Sequence, residues 1–282
     1  MSPQDSVPHG ESEASPATHQ APKPKPSHRS RRSRHVLPID PHGRAHAIFA
    51  VSDFLGIYLD PKNQDGQSAA KEEERQLRNV IDAAAQVPSL ERFVFSSLSY
   101  ASKWSKGKYT HIYHFDSKAR AEEYGRSQYP SLWAKTSVFQ AGIFLNFFTS
   151  PAYRPQKASD GTLTFRIPWS PTLKLPWLVP VEDTGPLVLA LLRSSPEQSL
   201  LGYRAWASTQ DIAPMFSTLF NVSTKVERAD PSTFWAETLS PGLVQEFTEF
   251  FEYWEEFGFE AQERPKIVHP NDVSCVGGVG GA

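Results

Sequence analysis

From Ala47 onward the chain alternates short apolar runs with helical patterning, and that alternation confines it to few folds. Ala47–Val51, Arg92–Ser96 and Leu132–Phe139 are apolar stretches of strand length, the last carrying Trp, Val and Phe. Between the first two, Leu77, Val80, Ile81, Ala84 and Ala85 recur at helical spacing, so a helix lays one face on a core. Ser68 reads as its N-cap, Glu72, Glu73 and Glu74 lie near its positive end, and Val87-Pro88 ends it. A second helix is expected over 114–127. Strand, helix, strand, helix, strand is the order of a parallel sheet with crossover helices, so the expected class is α/β.

The rest of the chain is less regular. Residues 1–45 read as a disordered, basic, Pro-rich tail, almost empty of large apolar side chains. They hold seven Lys/Arg and four acids, leaving 22 basic and 27 acidic residues of the chain's 29 and 31. The remainder is therefore mildly acidic, which argues against a nucleic-acid partner. The cluster Arg29–Arg34 reads as a solvated linker or as a nuclear address. His28, His35, His42 and His46 are too irregularly spaced to form a metal site. Six prolines across 151–180 indicate loops and short strands. Helices are expected over Pro186–Leu192, capped by Asp183 or Thr184, from Ser208 or Thr209 through Phe220, and over 242–258; Thr224–Arg228 suggests a strand. On the last helix Phe247, Phe250, Phe251, Trp254 and Phe257 form one face, opposite Glu246, Glu249, Glu252, Glu255 and Glu256, and read as core. A flexible tail is expected over 265–282. Hydrophobic residues at 39% supply a sizeable core, and the single Cys275 excludes an intramolecular disulfide framework. No run reaches the roughly 18 apolar residues of a membrane span and no signal peptide is evident, so the expected location is cytoplasmic.

Three strand ends point at one crevice: Ser52, the pair Ser96–Ser97, and Gln140–Gly142. In a doubly wound sheet, ligands bind at the carboxyl ends of the strands. His114 and Lys118 are four residues apart and share a helical face. The lysine suits a ribose hydroxyl and the histidine suits proton exchange. Each also has a structural reading: a solvated helix lysine, a capping histidine, serines that merely end a strand.

Several motifs resemble the NmrA-like family of atypical short-chain dehydrogenases/reductases. They are Phe49–Phe54 (FAVSDF), Phe93–Leu98 (FVFSSL), His114–Lys118 (HFDSK), Gln140–Phe144 (QAGIF) and Val181–Gly185 (VEDTG), and the similarity runs from about Ala47 to about Glu263. The resemblance implies a Rossmann-like parallel sheet over 46–150, followed by a C-terminal α/β substrate-side subdomain over 151–264. It implies NADP, or NAD, held by Ala50, Val51, Ser52, Phe54, Ser96, Lys118, Gln140, Gly142, Ile143 and Phe144. It implies Lys118, His114 and Ser97 as catalytic candidates acting on a small-molecule substrate. Short-chain dehydrogenases use Tyr-x-x-x-Lys. Here His114 stands at the tyrosine position, and Tyr113 is one residue, about 100°, out of register.

The family also carries a Gly-x-x-Gly-x-x-Gly turn that cradles the pyrophosphate. Before Ala47 this sequence has only Gly10 and Gly43. The sheet is therefore expected to be incomplete, with the strand at 47–51 at an open edge that invites a second chain or the tail. The resemblance implies an NADP-dependent oxidoreductase of a kind found in fungal secondary metabolism. The other readings are a non-catalytic regulator or cofactor sensor acting through a protein partner, and a truncated chain without cofactor binding.

Overall fold

A computed structural model describes residues 45–63, 65–259 and 267–273. The basic tail up to Arg44, with its Arg29–Arg34 cluster, and the Gly277–Gly281 run lie outside these residues.

The central sheet is parallel, as expected. Strand β1 (Ala47–Ala50) leads through the short helix α1 (Phe54–Tyr58) and the long helix α2 (Gly66–Ala85) to β2 (Arg92–Ser96). Helices α3 (Ala101–Trp104), α4 (Tyr113–Gln128) and α5 (Pro130–Trp133) precede β3 (Thr136–Ala141). Then come the short strands β4 (Ile143–Phe144), β5 (Gln156–Lys157), β6 (Leu163–Ile167) and β7 (Leu175–Leu178), and helix α6 (Pro180–Arg193). Strands β8 (Ser199–Gly202) and β9 (Ala205–Ala207), helix α7 (Thr209–Phe220), β10 (Thr224–Arg228), α8 (Pro231–Thr238), α9 (Pro241–Phe257) and β11 (Ile267–Val268) complete the order. The main sheet runs β1-β2-β3-β8-β11, with every pairing parallel. Among the described residues β1 pairs only with β2, so it occupies the expected edge.

The sheet is covered on both faces, which is why its strands read as continuous apolar runs. Phe93 and Phe95 of β2 pack with Leu77 and Ile81 of α2 and with Trp133. Val94, between them, joins Leu187 and Leu191 of α6 on the other face. The C-terminal half is built around aromatic side chains. Trp169 stacks on Phe251 at 4.3 Å between ring centroids, and Phe250 lies 3.8 Å from Trp254. Phe250, Phe251 and Trp254 of α9 are all buried, so the aromatic stripe is core.

Several expectations change. Leu132 and Trp133 are helical rather than in a strand: Pro130 opens α5 at its N1 position, and β3 starts only at Thr136. Helix α2 starts at Gly66, capped by Asp65, whose carboxylate accepts the Ser68 N–H at 2.8 Å; Ser68 is therefore inside the first turn. Helix α6 starts at Pro180 and contains Pro186. Asp183 lies in its first turn, accepting the Val179 N–H at 2.7 Å and pairing with Arg204. The span 265–282 is not all tail, since β11 pairs with β8. Among the described residues no helix is long and apolar enough to cross a membrane.

Ser208 caps α7 in a reciprocal box with Asp211, as its position suggested. Ser208→Ala is expected to cost about 1 kcal/mol in chemical denaturation. Hydrogen bonds from Ser208 hold the Asp211 carboxyl below the ordinary carboxylate range. A lowered folded pKa stabilises above the ordinary value and is lost as pH falls through the folded one. The difference between the Ser208→Ala and parent proteins is therefore expected to shrink in acid; a difference that grew would refute the cap.

Candidate functional site

The candidate site is built on the first turns of α4, where His114 and Lys118 share a face. Each is closed against a buried carboxylate from a different helix. His114 Nδ1 lies 2.5 Å from Glu246 Oε1 of α9, and the His114 backbone N–H donates to the same oxygen at 3.0 Å. Glu246 thus serves a free N–H at a helix start. It is fully buried, and its Oε2 has no hydrogen-bond partner. The imidazole is boxed by Phe54, Phe115, Phe247 and Phe250, with centroids 4.8 to 6.0 Å away. One turn along α9, Glu249 accepts the N–H groups of Thr110 and His111 at 2.9 Å each and faces His111 Nδ1 at 2.6 Å. Glu246, expected opposite the core with the other α9 glutamates, is instead on the buried face, and with Glu249 it anchors the lead-in to α4.

Lys118 meets Glu73 of α2. The ammonium donates to Glu73 Oε1 at 2.6 Å and to the His114 carbonyl at 3.3 Å. Ser52, just past the end of β1, donates to the same Glu73 oxygen at 2.8 Å, and Ser117 donates to Oε2 at 2.5 Å. Glu73 is fully buried, and the Lys118 side chain is 9% exposed. Ser52 and Lys118, expected at one site, therefore do converge, through a carboxylate that was not among the candidates.

The remaining candidates make other contacts. Ala50 is buried at the end of β1, Val51 beside it is 64% exposed, and Phe54 is buried against Tyr58 and His114. Ser96 and Ser97 are buried at the end of β2; the Ser97 backbone N–H donates to the Phe139 carbonyl, which ties the pair to the sheet. Gln140 turns toward β8, donating to Ser199 at 2.9 Å. Gly142 is packed so closely that an added Cβ would lie 2.2 Å from the Pro176 carbonyl oxygen. Ile143 is buried and Phe144 half exposed. Tyr113 packs its ring on Gly66, and burial, reinforced by Glu246 and Glu249, pushes its phenol up.

A dinucleotide can be tested against these residues. Ser52 and Phe54 just past β1 and Lys118 on α4 offer a hydroxyl, an aromatic ring and an ammonium, groups whose chemistry suits a ribose, but both polar donors are engaged by Glu73. By its chemistry this donor set fits the ribose of a nicotinamide riboside.

A parallel sheet covered by helices on both faces defines a Rossmann-like chain. The profile of the NmrA-like family matches residues 46–267, and the chain belongs to that family. It is 27% identical over 141 residues to the nitrogen metabolite repression protein nmrA of Emericella nidulans, covering 49% of this chain and 38% of that protein. The crystal structure of NmrA, a negative transcriptional regulator, in complex with NAD superposes with a TM-score of 0.58 at 22% identity, over 77% of this chain and 61% of that one. The complex of NmrA with NADP gives 0.57 at 21% identity, over 82% and 66%. The chain thus spans well under half of the curated relative, and the structural likeness shows the fold.

Proposed function

We propose that this chain is a non-catalytic NmrA-type regulator that acts through a protein partner and responds to NADP or NAD. One observation carries the reading. The α4 face that in a dehydrogenase presents a tyrosine and a free lysine here presents His114 and Lys118, each held by a buried carboxylate. A dehydrogenase needs the lysine's charge to lower the pKa of the acid beside it. Here Glu73 neutralises that charge, and the acid is absent. The likeness to NmrA, bound to NAD in one crystal and NADP in another, supports the cofactor class. The curated relative is named for nitrogen metabolite repression, which supports a regulatory role. In this reading Ser52, Phe54 and Lys118 face the nicotinamide ribose, with Ser96, Ser97 and Gln140–Phe144 behind them.

Calorimetric titration with NADP+ and NADPH, paired with NADPH absorbance over a panel of small carbonyl compounds, tests this. Binding without turnover is expected. The second reading, an oxidoreductase, draws on the shared helical face of His114 and Lys118 at the strand ends. Substrate-dependent oxidation of NADPH that disappears in His114→Ala would establish it and overturn the regulator.

A further inference from the structure

We propose that Glu73 is a positioning residue that competes with the dinucleotide ribose for Lys118 and Ser52, so that ligand binding requires this buried pair to open. The inference rests on the dinucleotide reading for the identity of the competing ligand. Its basis is a convergence of three donors from two places in the chain. Ser52 follows β1, while Ser117 and Lys118 sit on α4, and all three direct hydrogens at the Glu73 carboxylate of α2. Apart from Glu73, the Lys118 ammonium donates to the helical carbonyl of His114, at the longer distance of 3.3 Å.

Lys118 and Ser52 both donate to one oxygen, Glu73 Oε1. A ribose hydroxyl oxygen placed between them would take the same two donors, so ribose and carboxylate cannot occupy the position together. The carboxylate differs in charge. With Glu73 ionised, the pair is neutral and offers a pyrophosphate-bearing ligand no net attraction. Opening it would leave a carboxylate buried without its cation, which is strongly unfavourable. A lysine drawn only to solvent would need no such partner. A purely structural pair would lose stability when cut, and would gain no affinity for any ligand.

The test compares the full chain with Glu73→Gln, which keeps the shape and removes the charge. Calorimetry would measure NADP+, nicotinamide mononucleotide, and adenosine 2′,5′-bisphosphate, which lacks the nicotinamide ribose. NADP+ and nicotinamide mononucleotide are expected to bind Glu73→Gln about ten-fold tighter than the parent, with adenosine 2′,5′-bisphosphate unchanged. Equal or weaker NADP+ binding by a folded Glu73→Gln, with the parent binding, would overturn the competition and leave the dinucleotide reading standing. A gain shared equally by adenosine 2′,5′-bisphosphate would reduce the effect to bulk charge and overturn it too. Binding by neither protein would overturn both. If near-UV circular dichroism shows Glu73→Gln unfolded, Ser117→Ala deletes one donor to Glu73 and leaves Lys118 paired. Because Ser117 is the donor left to the Glu73 carboxylate once Lys118 and Ser52 turn to the ribose, the variant is expected to weaken NADP+ binding about three-fold, and no loss would overturn the proposal.

Discussion

Glu246→Ala is expected to lower folding stability by roughly 2–5 kcal/mol, because two buried or half-buried donors at the start of α4 lose their acceptor at once. The His114 N–H and Nδ1 both use the same oxygen of this residue. The imidazole's other surroundings are phenyl rings, which offer no replacement carboxylate or carbonyl. Urea denaturation followed by tryptophan fluorescence measures the change. Glu246→Gln keeps an acceptor and is expected to lose less than half as much. A loss below about 1 kcal/mol for the alanine variant, within reach of a lone surface contact, would mean that α9 is not anchored through this residue.

Gly142→Ala is the second large effect. Its Cβ would meet the Pro176 carbonyl oxygen at 2.2 Å and the Gly202 carbonyl oxygen at 3.0 Å. Both obstacles are backbone, so the β3–β4 segment must part from β7 and β8 to admit one methyl group. Overpacking of this kind costs about 1–3 kcal/mol, and a rigid obstacle places Gly142→Ala at the upper end. Gly185 is the control. It lies inside α6 with nothing within 4 Å of the added atom, so Gly185→Ala is expected to stabilise by about 0.5–1 kcal/mol through helix propensity. Opposite signs for the two substitutions, read as shifts in the denaturation midpoint, are the expected result. Gly142→Ala without loss of stability would show that the Gln140–Phe144 loop is loose, and would weaken its proposed place behind the nicotinamide.

Both carboxylates that close the candidate site stand on apolar stripes. Glu73 falls in the buried series Ala69, Ala70, Leu77, Ile81 and Ala84 of α2. Glu246 falls between Leu243 and Phe250 on the buried face of α9. An acid at an apolar phase of a helix is therefore visible in the sequence, but neighbouring glutamates make it indistinguishable from an acidic end or face. Glu72 and Glu74 on either side do behave that way, pairing with Arg75, Arg78 and Arg120 at or near the surface.

The parallel α/β sheet, its edge strand at 47–50, the helical phase of His114 and Lys118, and the aromatic core of α9 were all determined by the sequence. All but the edge position, which the resemblance to the NmrA-like family implied, rest on periodicity or strand-length apolar runs, which are local properties of the chain. The partners of His114 and Lys118 were decided only by the tertiary structure. Glu246 lies 132 residues from His114, and Glu73 lies 45 from Lys118. The reason is geometric: phase says which face of a helix is buried, but which helix lies across it depends on how the whole sheet is covered. The same holds for β11, too short for a pattern of its own, which becomes a strand because β8 offers it an edge.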